Sequence, residues 1–143
     1  MPLTGNNAIT PQTPKNFQCK FIQGTDGAGT YKAAYTADTN GTSINGMTVV
    51  NTDTVAHNLT IAIVNTNGTF VLNTVSLTAS AGNNGTTAPI AAQSVVNWPG
   101  RVVDGNGNPS FFLASGDTLE MQYGTSLAVA SSGIYVSGDA QAW

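Results

Sequence analysis

Apolar and polar residues alternate with a period of two through much of this chain. Phe17, Cys19 and Phe21, for example, are separated by polar residues and share one face of the first predicted strand. This period is typical of a strand that buries one face and exposes the other. No stretch keeps the period of an amphipathic helix over several turns. The pattern therefore predicts an all-β chain.

Turn-forming residues divide the chain into short segments. The pair Asn67-Gly68 is the strongest hairpin signal, because a type I′ turn needs positive φ at both central positions. About eight strands at roughly ten-residue spacing predict an antiparallel β-sandwich of the jelly-roll type. Further sets of alternating residues each predict an inward face: Tyr31, Ala33 and Tyr35; Val71, Val75 and Leu77; and Leu119, Met121 and Tyr123.

The first 14 residues differ from the rest, because they contain three prolines with Gly5, Asn6 and Asn7 and no alternating pattern. Proline removes a hydrogen-bond donor and favours extended backbone. Residues 1–14 are therefore predicted to be an extended N-terminal arm, and the alternative is a disordered terminus. Residues 15–143 are predicted to form one β-sandwich domain, since 143 residues fit a single domain of common size.

Charged residues make up only 8% of the chain, against about 25% in an ordinary soluble domain. Four basic residues and a net charge of -3 cannot neutralise a run of phosphates, which argues against nucleic acid and anionic membranes as partners. The polar surface comes instead from uncharged threonine and asparagine. Such a surface repels its own kind weakly, so it favours packing into an assembly.

The N-terminus has neither the basic region nor the apolar region of a signal peptide, and no apolar run is long enough for a transmembrane helix. We therefore expect synthesis in a cytoplasm without export by the usual route. The single cysteine, Cys19, excludes an intrachain disulfide. Because it alternates with Phe17 and Phe21, it is predicted to be a small buried apolar residue.

Candidates for catalysis are few. His57 is the only histidine, so a Ser–His–Asp or Cys–His site would have to use it. Its position after the Asp53–Ala56 turn favours a polar residue that flanks a turn. Asp117 and Glu120, the closest acidic pair, are predicted to be a turn residue and an outward strand residue. The sequence thus predicts that the protein is not an enzyme.

The sequence also gives little support for a metal-binding site. One Cys and one His cannot complete a zinc site. Residues 104–109, with sequence DGNGNP, resemble the start of a calcium loop. However, Pro109 occupies the place of the expected Gly and Ser115 that of the expected Glu. A plain loop is the better interpretation.

Two segments resemble a known group of proteins. Residues 44–64, INGMTVVNTDTVAHNLTIAIV, are similar to a strand–NTDT–strand hairpin found in small structural proteins of tailed phages. Residues 103–121, VDGNGNPSFFLASGDTLEM, resemble the aspartate-containing loop, apolar strand and glycine turn of the same group, preceded there by a proline crossing like Trp98-Pro99. The chain thus resembles the small jelly-roll cement, or decoration, proteins of tailed-phage heads.

This resemblance implies two antiparallel sheets, no enzyme activity and no cofactor. It implies binding to the outside of a shell of major capsid protein, often as a dimer or trimer. The protein would then be located on the capsid surface of a virion and made in the host cytoplasm. Specific contacts of this kind need about 1,000 Å² or more of buried surface.

Four residues are predicted to contact the partner: Leu3 and Ile9 in the arm, and Trp98 and Arg101 in a loop. Tryptophan and arginine are favoured at interface centres, although local packing explains them equally well. A second hypothesis is a receptor- or carbohydrate-binding module of a tail fibre or adhesin, with an exposed aromatic platform. A third is an enzyme of unrecognised type that uses His57.

Overall fold

The computed structural model of the protein describes residues 13–92, 102–103 and 109–142, with the backbone alone at Val102 and Val103. Within these residues no helix has the length and apolar character needed to span a membrane. The described part contains ten strands: β1 (Thr13–Ile22), β2 (Lys32–Thr36), β3 (Thr42–Asn51), β4 (His57–Asn65), β5 (Gly68–Leu77), β6 (Ile90–Ala91), β7 (Val102–Val103), β8 (Pro109–Leu113), β9 (Thr118–Tyr123) and β10 (Gly133–Ala142).

The strands form two antiparallel sheets. The first has the order β1-β10-β3-β8-β7, with the short β6 also paired to β3, and the second has the order β2-β9-β4-β5. Both sheets mix strands from the two halves of the chain, as in the two Greek keys of a jelly roll. The predicted antiparallel sandwich is confirmed. Eight of the described strands have five or more residues, which agrees with the predicted number.

The core lies between the sheets and is built from the inward residues of alternating positions. Phe17, Cys19 and Phe21 are all buried on β1, as predicted. The same alternation predicted the inward face of β9, where Leu119, Met121 and Tyr123 are likewise buried. Aromatic rings from the two sheets meet in this core, since the Phe21 and Tyr123 rings contact edge to face at a centroid distance of 5.3 Å. The period of two therefore identified the inward faces wherever the strands are regular.

Two predicted faces were wrong because a strand contains an extra residue. On β2 the register shifts between Ala33 and Tyr35, so Ala33 is exposed while Tyr35 packs against the core. On β5 the partner of Ile61 is Asn73 and that of Ala62 is Val71, which leaves Leu72 as the extra residue. A β-bulge of this kind reverses the face of every residue beyond it.

On β5 the bulge determines which apolar side chains face the core. Val75 and Leu77 are buried as predicted, whereas Val71 is 59% exposed. Leu72 packs against the core in its place. The predicted common face of Val71 with Val75 is thus corrected by the bulge.

The hairpin between β4 and β5 is present where Asn67-Gly68 predicted it, but the turn type differs. Asn65 pairs with Gly68, so the two central residues are Thr66 and Asn67. Of the residues here only Gly68 has positive φ, at 129°, whereas a type I′ turn requires it at both central positions. The predicted type I′ geometry is therefore wrong, and Gly68 follows the turn.

Gly138 on β10 shows how closely the core is packed. A Cβ atom at this position would lie 2.1 Å from Phe17 Cζ and 2.7 Å from the carbonyl oxygen of Gly46. The Phe17 ring therefore occupies the space above Gly138, its partner across the β1–β10 ladder. Only glycine leaves room for this ring.

The predicted arm lies mostly outside the described residues, which begin at Thr13. Thr13 and Pro14, the last two residues of the predicted arm, are the first residues of β1 and pair with Ala142 and Gln141 of β10. The first strand therefore begins two residues before the predicted domain boundary.

Candidate interaction surface

The only histidine belongs to a buried polar network. His57 opens β4, and its ring Nε2 lies 2.8 Å from Oδ2 of Asp53. Its other nitrogen, Nδ1, lies 3.0 Å from the Thr125 hydroxyl oxygen. Because the Asp53 carboxylate accepts, Nε2 donates to it. The hydroxyl of Thr125 can donate or accept, so the network can accommodate either role of Nδ1.

Asp53 is held by backbone donors as well. Its Oδ2 accepts a hydrogen bond of 2.7 Å from the Ala128 amide, and its Oδ1 accepts one of 2.8 Å from the Thr54 amide. Burial by itself raises the pKa of Asp53, but the hydrogen bonds from Ala128, His57 and Thr54 outweigh it and hold the pKa below its usual range. The carboxylate is thus ionised at neutral pH.

This network joins the turn after β3 and the start of β4, which are adjacent in sequence, to the distant loop between β9 and β10. A hydroxyl, an imidazole and a carboxylate in series are also the groups of nucleophilic catalysis. Here, however, the side chains of His57 and Asp53 are both 0% exposed, and the carboxylate accepts three hydrogen bonds. The arrangement is suited to holding loops together.

The other predicted chemical residues have structural partners too. Burial raises the pKa of the Cys19 thiol, in keeping with its predicted core position. Asp117 accepts hydrogen bonds from the Asn65 side chain at 2.9 Å and from the Ala114 amide at 3.0 Å, so it holds two turns together. Among the residues that the structure describes, no group of three or more His, Cys, Asp or Glu could hold a metal ion. Residues 104–108 of the calcium-like loop lie outside them.

One side of the sandwich has protected sheet edges. The edge strands β1 and β2 contact each other there and carry Lys15, Lys20 and Lys32. Lys32 Nζ lies 2.8 Å from Asp26 Oδ1, and its hydrogen bond keeps the pKa of Asp26 below the usual range. Charged residues, lysine above all, discourage an edge strand from pairing with another chain.

In the part of the chain that the structure describes, β5 is the strand at the other side of the second sheet, and it differs in charge from β1 and β2. Its ten residues, GTFVLNTVSL, include no ionisable side chain. Phe70 is 50% and Val71 is 59% exposed, and successive residues of a strand point to opposite faces. We call β5 with these two side chains the neutral edge. On β8, in the first sheet, Phe112 is also 54% exposed.

The four residues predicted to contact the partner, Leu3, Ile9, Trp98 and Arg101, all lie outside the described residues. The neutral edge was not among them. Its absence of charge is visible in the sequence, but its position at the end of a sheet depends on strand order, which the sequence does not reveal.

Comparison with known proteins shows a likeness of fold. No family model and no curated sequence matches the chain. A chain of the solved cyanophage Pam1 capsid asymmetric unit superposes with a TM-score of 0.50 at 12% sequence identity, and the match covers 100% of both chains. The two chains are therefore similar in fold.

Proposed function

We propose that this protein is a non-enzymatic structural protein of a phage virion, which binds the outside of the capsid shell and stabilises it as a cement protein. The observation that carries this proposal is the neutral edge. A sheet edge without charges, with half-exposed Phe70 and Val71, favours aggregation of an isolated protein. In an assembly, the same edge can form a specific contact.

The fold supports the same conclusion, since the chain is similar in fold to a chain of a phage capsid unit. The low charge supports it as well, because neutral surfaces associate with little repulsion. A cement protein adds contact area between neighbouring subunits. Binding to the assembled shell then stabilises that shell by mass action, and many copies multiply the effect. The proposed partners are the major capsid protein and other copies of this chain, on the surface of a virion assembled in the host cytoplasm.

The N-terminal arm is proposed to add a second contact with the shell. Removing residues 2–12 leaves β1 intact, because that strand begins at Thr13. We expect this deletion to lower occupancy on capsids while the melting temperature of the isolated protein stays unchanged. Unchanged occupancy would contradict a role for the arm, and hence for Leu3 and Ile9.

The proposal is tested with capsids assembled without this protein. Purified protein is added, unbound protein is removed by sedimentation, and the bound copies per shell are counted on gels. We expect saturable binding and a higher temperature of shell disruption. Val71→Lys should reduce occupancy at least tenfold. Val129→Lys is the matched control, because Val129 is 42% exposed in the loop between β9 and β10 and is not part of β5, and it should bind normally.

A second candidate, the carbohydrate-binding module, is favoured by one observation. The Tyr135 ring is 37% exposed on the outer face of the first sheet. With Gln18, Lys20 and Ser137 it lines a shallow depression of about 410 Å³. An aromatic face beside amide, hydroxyl and ammonium groups suits a sugar. A glycan array tests this function, and binding that Tyr135→Ala abolishes would support it over the cement proposal.

A further inference from the structure

The neutral edge has backbone hydrogen-bonding groups that face no other strand among the described residues. In the described residues β5 pairs with β4 on one side and ends the sheet on the other. In an antiparallel strand, alternate residues direct their N–H and C=O groups to each side. The edge therefore offers a ladder of donors and acceptors that another strand can use.

We propose that the strand which uses this ladder is β5 of a second copy, paired antiparallel across a two-fold axis. The two four-stranded sheets would then continue as one eight-stranded sheet through the dimer. This inference rests on the proposed function, since it names the partner of the same neutral edge.

The charge pattern favours a second copy as the occupant. A two-fold interface brings a patch against itself, so a charged residue near the axis meets its own like charge. β5 has no ionisable side chain over its ten residues, and thus contains nothing that self-pairing would repel. At the opposite side of the sandwich, the lysines on β1 and β2 would repel the same lysines of a second copy.

The bulge at Leu72 then determines the register. Full overlap of two antiparallel β5 strands places Gly68 opposite Leu77 of the other copy. In a regular strand this register would set inward residues opposite outward ones, because 68 and 77 differ in parity. The extra residue Leu72 reverses the faces of residues 68–71 relative to residues 73–77. Each residue of one copy therefore lies opposite a residue of the other copy that points to the same face of the sheet.

In that register Phe70 lies opposite Val75 of the second copy, and Val71 lies opposite Thr74. Both half-exposed side chains gain a neighbour on their own face of the sheet. Because Leu72 is the extra residue and has no residue directly opposite it, Asn73 lies opposite Asn73 of the second copy, on the axis. The Asn73 Oδ1 already accepts a hydrogen bond of 2.6 Å from the Thr74 amide. Its second lone pair and the donors of its NH₂ group can still hydrogen-bond with the equivalent side chain.

The oligomeric state tests the proposal first. Sedimentation velocity of the full chain at about 20 μM should show a dimer. Val71→Lys should give a monomer with an unchanged circular dichroism spectrum, because two lysines would then flank the axis. The control Val129→Lys should remain a dimer. A wild-type monomer or trimer, or a dimeric Val71→Lys protein, would overturn the inference.

The register is tested by crosslinking. Residues directly opposite each other in such a pair have Cβ atoms about 4.5–5.5 Å apart, close to the span of a disulfide. Asn73→Cys should therefore form a disulfide-linked dimer under mild oxidation, since position 73 faces itself. Thr69→Cys should not, because residue 69 is opposite residue 76. An uncrosslinked Asn73→Cys dimer would refute this register.

The result also separates this inference from the proposed function. If the wild-type protein is a monomer that binds capsids and loses binding on Val71→Lys, then the neutral edge contacts the shell. The dimer is then refuted while the cement function stands. If it is a β5-linked dimer that binds no capsid, the reverse holds.

Discussion

Replacing Asp53 by Ala should destabilise the protein more than any other single polar substitution among the described residues. The change removes an acceptor of three hydrogen bonds, those from the Ala128 and Thr54 amides and from the His57 ring. It also leaves the imidazole without its buried partner. The His57 donor cannot reach solvent easily, since the Asp53 and His57 side chains are completely buried, whereas the hydrogen bonds from the Thr54 and Ala128 amides are part-buried.

The expected magnitude follows from these contacts. A buried donor that loses its partner costs about 1–3 kcal/mol. A hydrogen bond to a charged group such as the Asp53 carboxylate contributes about 1.5–3 kcal/mol. Because the bonds share one carboxylate, their costs do not simply add, and we expect a loss of about 4 kcal/mol. This is a large part of a typical stability of about 5–15 kcal/mol.

Urea unfolding at pH 7, followed by circular dichroism, measures this loss. Thr125→Val is the matched control, because it removes only the hydroxyl bond to His57 and Thr125 itself is exposed. We expect it to cost about 0.5–1.5 kcal/mol. In a double-mutant cycle, Asp53→Ala and His57→Ala should couple by more than about 1 kcal/mol. A loss below about 1 kcal/mol for Asp53→Ala would show that the network does not hold these loops.

The remaining predictions concern acid, packing and the thiol. The pKa of Asp53 is lowered in the folded protein, so its contribution is present above the unfolded value of about 3.9 and is lost as pH falls below it. Wild-type stability should therefore drop more steeply than that of Asp53→Ala between about pH 4 and pH 2; equal slopes in urea titrations would contradict this. Gly138→Ala should cost about 1–3 kcal/mol of stability, because its Cβ would lie 2.1 Å from a Phe17 ring carbon. Gly124→Ala is the control and should change stability much less, since the nearest atom to its Cβ would be 3.9 Å away. Equal losses of stability on urea unfolding would refute the packing argument. Cys19 should resist a thiol reagent until urea unfolds the chain, since it is buried and its pKa is raised; rapid labelling of the native protein would contradict its core position.

Much of the fold was predictable because alternation is a local property. The inward faces around Phe17 and around Met121 follow directly from period two. The bulges at Ala34 and Leu72 were not predictable, since nothing in the sequence of a single strand marks which residue is the extra one. Only the register with the neighbouring strand shows that Ala33 and Val71 are exposed.

The candidate site was less accessible to sequence reasoning. Asp53 and His57 are close along the chain, and their contact follows from the turn between them. Thr125 is 68 residues from His57, and only the jelly-roll order brings β9 beside β4. In the same way, the lack of charge in residues 68–77 was evident, but its meaning required knowing that β5 ends a sheet.

The central claim is that this protein functions by adhering to a capsid through its surface, and electron cryomicroscopy tests it most directly. Capsids assembled without the protein would be imaged before and after adding it in excess. The account predicts new density on the outside of the shell, at regular positions, into which the two-sheet domain fits. Shells that remain bare at saturating concentration, or density confined to a tail, would contradict it.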